Sequence, residues 1–383
     1  MRTQHFRVVG RDHESGDHHE FGGDIVVPSD APQIVSANQA PPTDAHPPAL
    51  PPGALSPLGA PVPPGPSAPT GSGASPDPHP PVDPHPSPGH GPAQQPGIEY
   101  RSFDGSGNNL DDTSSNQAGD SFGRIGPANF ADGVDAMVAG PNPRMISNVV
   151  VAGNGDLANP EGLSGLMYAW GQFIDHDLDL AFSDGTTHID IAIPADDPDL
   201  SASGISMTRA IVDPVTGHDG VPAAAINNVT GWLDASMVYG SDAATAASLR
   251  GADGRMLTSD GNNLPIVDGM YAAGDIRVNE NPDLTALQVL FVREHNYQVD
   301  LLQKQHPSWT GDQLYQQARA IVTAEIAHIT YSEFLPHLLG SDAIDPYAGY
   351  DSSVDASISA EFAGAAFRFG HSIVSAEIGK IDE

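Results

Sequence analysis

Cysteine is absent from the whole sequence. Its absence excludes disulfide bridges, zinc sites with cysteine ligands, iron–sulfur clusters and catalysis by a thiolate. Loops that need to be held together must therefore rely on packing, hydrogen bonds or a bound ion.

Basic residues are scarce. The chain has 15 lysines and arginines against 49 aspartates and glutamates, which gives a net charge of −34. Such a surface repels phosphate backbones and anionic lipid, so we expect no nucleic-acid or membrane-surface partner. An excess of carboxylates does suit calcium, a hard cation that takes oxygen ligands.

Long hydrophobic runs are also missing. No stretch of 18 apolar residues exists, so the sequence predicts no membrane span. The first residues, MRTQHFRVVGRDHESG, lack the apolar run of a cleavable signal peptide. If the protein is exported, we expect the signal elsewhere.

The distribution of proline divides the chain into three parts. Residues 1–40 form a polar N-terminal segment, whereas residues 41–97 hold 21 of the 36 prolines. Proline fixes φ and removes a donor, so we expect residues 41–97 to be an extended, disordered linker. Residues 98–383 have the composition of a globular domain and show no internal repeat.

The globular part reads as mainly α-helical with long irregular connections, because apolar residues recur with a period near 3.6 and strand-like alternation is scarce. In the second helix an asparagine cap is followed by proline at the first helical position. The four expected helices are Leu163–Leu180, a helix beginning at Asn281, residues 311–335, and a helix from Ile358 to His371.

The first of these helices carries the most distinctive residues. Gln172 and His176 are four apart and share one face, and Gly165 and Ala169 fall on that face one and two turns earlier. A face that is small and then polar would let a flat ligand lie close. Asp175 and Asp177 flank His176. The segment alone is explained equally well by a polar helix end with a surface histidine.

A second segment, TGWLDASMVYGSD, presents oxygen atoms at regular spacing. Thr230, Trp232, Asp234 and Ser236 lie two apart, so an extended loop would direct three side-chain oxygens and the Trp232 carbonyl toward one point. That set resembles a calcium site without the pattern of an EF-hand. A turn rich in hydrogen-bonding side chains is the simpler explanation for this segment alone.

Two further segments are ambiguous alone. Arg277 and Glu280 lie three apart just before a helix, an arrangement that suits a salt bridge or a cap. His371 ends the segment FRFGH, and a histidine late in an apolar helix is usually a core residue rather than a ligand.

Together, the four segments resemble the animal haem peroxidase family in amino-acid sequence and in their order along the chain. The resemblance covers roughly residues 98–383 and includes YRSFDGSGNNL, VREHN and ITYSEFLPHLLG. It implies a helical haem peroxidase domain with His176 as the distal histidine, Gln172 as its polar neighbour and Arg277 as the distal arginine. His371 matches the proximal ligand of the haem iron.

The resemblance also implies how haem b and calcium are held. Asp175 and Glu280 match the carboxylates that form ester bonds to haem methyl groups. Calcium would be bound by residues that match the family's calcium loop. These are Asp177, Thr230, Trp232 (through its carbonyl), Asp234 and Ser236.

The implied reaction uses hydrogen peroxide and a small electron donor such as a halide, thiocyanate or a phenol. A distal imidazole with a pKa near ambient pH can take a proton from one peroxide oxygen and return it to the other. A guanidinium stabilises the negative charge that develops as the bond breaks. Family habit, acidity and the calcium ligands together favour a secreted protein that responds to oxidative stress.

The sequence departs from the family pattern in two places. Asn281 follows Glu280, where one branch of the family has a methionine that makes a third haem bond, so that bond is excluded. The chain also ends twelve residues after His371, whereas the family domain continues to an asparagine that binds the proximal histidine. We therefore expect a C-terminally incomplete domain that is not a competent peroxidase by itself.

Two alternatives remain. One is a fatty-acid dioxygenase of the same superfamily, but those enzymes carry a radical-forming tyrosine three residues before the proximal histidine, where this chain has Arg368. The other is a calcium-stabilised secreted binding protein without haem chemistry.

Overall fold

The computed structural model of the protein describes residues 100–153, 159 and 161–374 with their side chains, and the backbone of residues 2–11 and 18–27. Its elements are mostly helical, which confirms the expected fold class. The proline-rich residues 41–97 lie outside the described residues, so the expected linker stays a prediction.

Eight α-helices lie within the described residues. They are α1 (Pro143–Val150), α2 (Leu166–Leu178), α3 (Ser236–Tyr239), α4 (Ala243–Ser248), α5 (Pro282–Gln305), α6 (Gly311–Ile329), α7 (Leu335–Leu339) and α8 (Ala360–Gly364). A π-helical turn, Thr330–Phe334, joins α6 to α7, and 3₁₀ segments cover Asp260–Asn262 and Ala366–Ser372.

The strands are short outside the N-terminal pair, and each pairs antiparallel with one partner. They are β1 (Arg2–Arg11) with β2 (His18–Val27), β3 (Ser183–His188) with β6 (Thr208–Ala210), β4 (Ile191–Ala192) with β5 (Gly204–Ile205), and β7 (Ile266–Val267) with β8 (Met270–Tyr271).

The core is built where α2 packs against α5 and α5 against α6. Phe173 of α2 stacks on Phe291 of α5 with ring centroids 5.2 Å apart, and Trp170 meets the edge of Phe291 at 5.8 Å. Aromatic pairs in these geometries add stability beyond their buried area. The contact fixes α2, the helix that carries His176, against the middle of α5.

Helix α2 is shorter than the periodicity suggested, Leu166–Leu178 rather than Leu163–Leu180. At its end the backbone of Asp179 is extended, with φ −148° and ψ 143°. With this extended backbone, the Asp179 carbonyl accepts from Arg277 and its carboxylate accepts from Arg368. The end of the helix thus places Asp179 in contact with both arginines.

Helix α5 begins as expected. The Asn281 side chain accepts a hydrogen bond from the backbone N–H of Leu284 at 2.9 Å, and Pro282 occupies the first helical position. None of the described helices is long and apolar enough to cross a membrane.

The expected helix over residues 311–335 is confirmed in position but not in regularity. Its last turns are π-helical over Thr330–Phe334. Pro336 has no N–H to donate to the carbonyl four residues earlier, so a regular α ladder cannot continue there. The turn faces α2, because Thr330 Oγ1 accepts a hydrogen bond from Trp170 Nε1 at 3.2 Å. Such π turns often lie next to functional sites.

The expected continuous helix from Ile358 to His371 is wrong. Helix α8 ends at Gly364, Ala365 has non-helical angles (φ −138°, ψ −63°), and a 3₁₀ segment follows. Arg368 Nε donates to the Ala363 carbonyl at 2.7 Å, so a side chain takes a carbonyl that the helix would otherwise use. The break sets His371 in the 3₁₀ segment.

Candidate functional site

One cavity of about 490 Å³ brings the candidate residues together. This volume lies in the range of cofactor and ligand sites. Helix α2, the loop before α5 and the 3₁₀ segment form its walls. The lining residues are Met167, Tyr168, Gly171, Gln172, Asp175, His176, Arg277, Glu280, Asn281, Phe367, Arg368, Phe369, Gly370, His371 and Val374.

His176 is buried, with 3% of its surface exposed. Its Nε2 lies 3.6 Å from Glu280 Oε2 and its Nδ1 lies 3.7 Å from Asp275 Oδ1. Burial, together with the charge of Arg277, lowers the pKa of His176 to about 3. The imidazole is therefore neutral at ordinary pH, whereas sequence reasoning expected a pKa near ambient pH. Desolvation by α2 packing accounts for the difference.

Arg277 is held in place by Asp275. Its Nε donates to Asp275 Oδ1 at 2.9 Å and its Nη2 donates to Asp275 Oδ2 at 2.8 Å, while Nη2 also donates to the Asp179 carbonyl at 2.9 Å. Burial alone would lower the pKa of Arg277, but the bonds to Asp275 raise it, so the guanidinium stays charged.

Gln172 connects α2 to the start of α5. Its Nε2 donates to Glu280 Oε2 at 2.9 Å, and its Oε1 accepts from Asn281 Nδ2 at 2.6 Å. Asn281 thus caps α5 through Oδ1 and orients Gln172 through its amide nitrogen. The sequence predicts only the cap.

Asp175 faces two arginines. Arg368 Nη1 donates to Asp175 Oδ2 at 3.3 Å, Arg277 Nη1 lies 3.9 Å from the same oxygen, and Arg368 Nη2 donates to Asp179 Oδ1 at 3.0 Å. Burial raises the pKa of Asp175 and of Asp179, and the charge of Asp175 raises that of Asp179 further. The arginines partly offset this cost.

His371 reaches the same cavity from the 3₁₀ segment and is exposed. It is not the satisfied core histidine that an apolar helix would have contained. The two histidines therefore line one cavity from different elements, 195 residues apart in sequence.

The face of α2 that meets the cavity differs from the one expected. Residues 167, 168, 171, 172, 175 and 176 line it, whereas Ala169 is 1% exposed and packs in the core, and Gly165 caps the helix. The spacing of three and four is right, but the glycine that lines the cavity is Gly171, and a Cβ there would make only an ordinary contact with Phe334, at 3.5 Å.

The residues expected to bind calcium lie together where the end of α2 contacts the start of α3 and the loop before it. Ser236 Oγ donates to Asp177 Oδ1 at 2.8 Å, Ser236 N donates to Asp234 Oδ1 at 3.1 Å, and Thr230 Oγ1 donates to Asp234 Oδ2 at 2.9 Å. The carbonyl of Trp232 lies 3.4 Å from Thr230 Oγ1. One carboxylate from α2 and one from the loop thus share a cluster of oxygens.

This cluster is electrostatically costly. Asp177 and Asp234 are at most 1% exposed. Burial raises the pKa of both, and the charge of Asp234 raises that of Asp177 further, while Arg319 opposes the shift at Asp234. Among the described residues, no group of three or more acidic, histidine or cysteine side chains could hold a metal, so hydroxyl and carbonyl oxygens would complete any site here.

Gly274 allows the Arg277 loop to lie against α3. A Cβ at this position would lie 2.2 Å from the Ser236 carbonyl oxygen and 2.3 Å from the Gly240 nitrogen. Backbone atoms cannot move aside as a flexible side chain can. The lack of a side chain at position 274 therefore lets the loop that carries Arg277 pack against Ser236, which belongs to the oxygen cluster.

A family model described as animal haem peroxidase matches residues 100–383. The chain belongs to the animal haem peroxidase family. The peroxidasin homolog of Mus musculus is 32% identical over 348 residues, which cover 74% of this chain and 24% of that protein.

Two solved structures are also similar. Peroxidase A from Dictyostelium discoideum matches with a TM-score of 0.63 and 27% identity, covering 72% of this chain and 60% of that chain. The fatty acid alpha-dioxygenase of Oryza sativa matches with a TM-score of 0.57 and 25% identity, covering 70% of this chain and 49% of that chain. The chain spans less than two thirds of each of these proteins.

The cavity fits haem, the group that the family name implies. His176 Nδ1 and Asp175 Oδ1 are buried with no hydrogen-bond partner among the described residues. Met167, Phe367 and Phe369 supply apolar wall. An exposed imidazole, a neutral buried imidazole and two arginines in a cavity with a partly apolar wall suit a flat, iron-containing, anionic group.

Three residues that matter in this site were missed from the sequence. Asp275 holds Arg277, and Asp179 shares Arg368 with Asp175. The sequence shows Arg368 only as the residue at the position of the dioxygenase tyrosine. Asp179 is four residues after Asp175, and Asp275 is two before Arg277, so spacing offered a weak signal for each. The approach of Arg368 depends on the break after α8, which spacing does not predict.

Proposed function

We propose that this protein is a haem-dependent peroxidase that reduces hydrogen peroxide and oxidises halide, thiocyanate or small organic donors. The observation that carries the proposal is that His176, Arg277 and His371 line one cavity, with His176 neutral and Arg277 charged. Haem b, when bound, supplies the iron that reacts with peroxide.

His176 handles the proton. Its Nε2 lies toward Glu280 at the cavity wall, and its Nδ1 lies toward Asp275. An imidazole with the hydrogen on Nδ1 has a free lone pair on Nε2, which takes the proton from peroxide and returns it to the leaving oxygen.

Arg277 stabilises negative charge. Asp275 fixes its guanidinium through two hydrogen bonds, so no reorganisation is needed when charge develops on the departing oxygen. Gln172, bonded to Glu280 and Asn281, completes the polar side of the cavity.

His371 would hold the haem iron through its imidazole. Asp175 and Glu280 lie on the cavity wall, which suits their proposed role as ester partners of the haem edge. Calcium at Asp177, Thr230, Trp232, Asp234 and Ser236 would neutralise two buried carboxylates and tie α2 to the loop, one residue from His176.

We place the protein outside the cell, as a secreted enzyme that responds to oxidative stress. The acidic surface, the proposed calcium site and the family support this location. Hydrogen peroxide and the small donor are its proposed partners, and nothing in the charge of −34 favours nucleic acid.

The fatty-acid dioxygenase alternative is favoured by the likeness to the Oryza sativa enzyme. Against it, Arg368 stands where a radical-forming tyrosine would be needed, and it is committed to Asp175 and Asp179. The non-catalytic calcium-binding alternative leaves the cavity and its neutral His176 without a role.

Haem titration of the full chain tests the proposal. Sustained oxidation of a donor is not expected of this chain by itself, but haem binding and a first reaction with peroxide are, because these need only the residues that line the cavity. We expect a Soret band with one haem per chain and a spectrum of histidine-ligated iron that changes on addition of peroxide. His371→Ala should lose this spectrum, while His328→Ala on α6, away from the cavity, should keep it. Equal spectra for parent and His371→Ala would remove His371 as the ligand, and no haem binding would contradict the proposed function.

A further inference from the structure

Tyr168 is a cavity-lining residue to which the mechanism gives no task. It lies in the first turn of α2, is 5% exposed and borders the same cavity as His176 and His371. Its hydroxyl donates to Asp283 Oδ2 at 2.5 Å. The phenol therefore has a carboxylate as its immediate hydrogen-bond acceptor.

Asp283 is an acidic residue at the N-terminus of α5. It lies in the first turn of α5, directly after Pro282, where the helix N-terminus stabilises negative charge. Burial and the nearby Asp283 both keep the proton on Tyr168 and raise its pKa above the usual value. Loss of the phenolic proton alone is thus disfavoured. The proton leaves readily only together with an electron.

Tyr168 is the one phenol or indole among the described residues that line the cavity. Other buried aromatic donors nearby do not combine a position on the cavity wall with a carboxylate acceptor. Trp170 donates to the neutral hydroxyl of Thr330, and Tyr239 hydrogen-bonds with His295 away from the cavity. The cavity wall and the carboxylate acceptor coincide only at Tyr168.

We propose that Tyr168 and Asp283 form a redox-active pair that supplies one electron to the oxidised haem when no small donor is present. The O–H bond of Tyr168 breaks, its electron reduces the peroxide-oxidised haem by one equivalent, and its proton bonds to the Asp283 carboxylate. The products are a neutral tyrosyl radical and a carboxylic acid. This inference rests on the proposed peroxidase function, which supplies the oxidant.

A purely structural role, in which the hydrogen bond ties α2 to α5, makes different predictions. Asp283→Asn keeps an amide oxygen that accepts from the phenol, so a tether survives, but the strong proton acceptor is lost. Tyr168→Phe removes the phenol itself. If the bond is only a tether, Asp283→Asn should leave the yield of tyrosyl radical unchanged. If the two residues form a redox pair, Asp283→Asn should lower that yield.

The test uses the full haem-loaded chain mixed with one equivalent of peroxide without a donor, followed by rapid freezing and electron paramagnetic resonance. We expect a tyrosyl signal in the parent protein, loss of that signal in Tyr168→Phe and a reduced yield in Asp283→Asn. Tyr297→Phe, which changes an exposed tyrosine on α5, should leave the signal unchanged. A nitroso spin trap and peptide mapping should locate the adduct at Tyr168.

Optical change of the haem on peroxide addition separates the two proposals. If the haem reacts but the parent shows no tyrosyl signal, the redox pair is wrong and the peroxidase function stands. A signal that survives in Tyr168→Phe also overturns the pair, as does oxygen addition at the neighbouring Met167 without an adduct at Tyr168.

If the haem does not react, the peroxidase function fails. Photochemical one-electron oxidation with a ruthenium–bipyridine complex and persulfate then tests the pair without peroxide chemistry at haem. Trapping at Tyr168 that decreases in Asp283→Asn supports the pair, whereas equal trapping in both proteins overturns it.

Discussion

The carboxylate of Asp275 accepts two hydrogen bonds from the guanidinium of Arg277, at 2.9 and 2.8 Å, while its Oδ1 lies 3.7 Å from His176 Nδ1. One buried acid, 2% exposed, therefore orients the guanidinium of Arg277 and lies beside His176 without a hydrogen bond to it. Its effect is positional, because its hydrogen bonds hold the guanidinium of Arg277 rigid beside His176.

Asp275→Asn should slow the reaction with peroxide by about 10- to 100-fold, the usual cost of losing a partner that orients a functional group at a metal site. Haem binding should persist, because His371 is unchanged. Stopped-flow spectroscopy measures the rate. Asp253→Asn is a matched control, since Asp253 also bonds an arginine two residues later, but at an exposed site where ion pairs contribute little. Equal rates for Asp275→Asn and the parent would show that Asp275 does not position Arg277 for the reaction.

Calcium removal should destabilise the protein. A site occupied at a hundredfold excess over its Kd stabilises the folded state by about 2.7 kcal/mol, so a chelator should lower the Tm of the parent. In Asp234→Ala this chelator effect should vanish together with bound calcium, whereas Asp260→Ala, in a 3₁₀ turn outside the oxygen cluster, should keep both. If Asp234→Ala retains the calcium content and the chelator effect of the parent, the oxygen cluster is only a turn.

Covalent haem attachment should depend on turnover. Carboxylates are poor nucleophiles, so ester bonds through Asp175 and Glu280 should form only after peroxide is added. Acidified solvent should then extract haem from the Asp175→Ala, Glu280→Ala double variant but not from the parent. Complete extraction from a parent protein that has turned over would refute the ester links.

Gly274→Ala should destabilise the fold, because the new Cβ would meet two backbone atoms at 2.2 and 2.3 Å. Overpacking of this kind costs about 1–3 kcal/mol in the free energy of unfolding. Denaturant unfolding gives the value. Gly140→Ala, with no atom within 4 Å of the added Cβ, is the control and should be nearly neutral. A neutral Gly274→Ala would mean that the loop can shift away from α3.

Helix positions could be predicted from the sequence where they depend on capping residues and on the spacing of apolar residues. The start of α5 follows from Asn281 and Pro282, and Gln172 and His176 share a face because they are one turn apart. These features depend on residues close in sequence, so they can be recognised without the fold.

What the sequence could not predict depends on contacts between distant segments. Arg368 reaches Asp175 across 193 residues, and the helix break after α8 that allows it is stabilised by its own bond to Ala363. Likewise, Ala169 turned inward because aromatic packing of α2 on α5 sets which side faces the core. No periodicity encodes these choices.

The most direct test of the proposed mechanism is the rate at which the haem-loaded protein reacts with hydrogen peroxide, compared between the parent and His176→Ala. We predict that both bind haem through His371 and that the variant reacts slower by a factor on the order of 10²–10⁴, because the proton acceptor is gone. Rates that agree within about threefold would contradict the mechanism, since general acid–base catalysis by His176 would then contribute nothing.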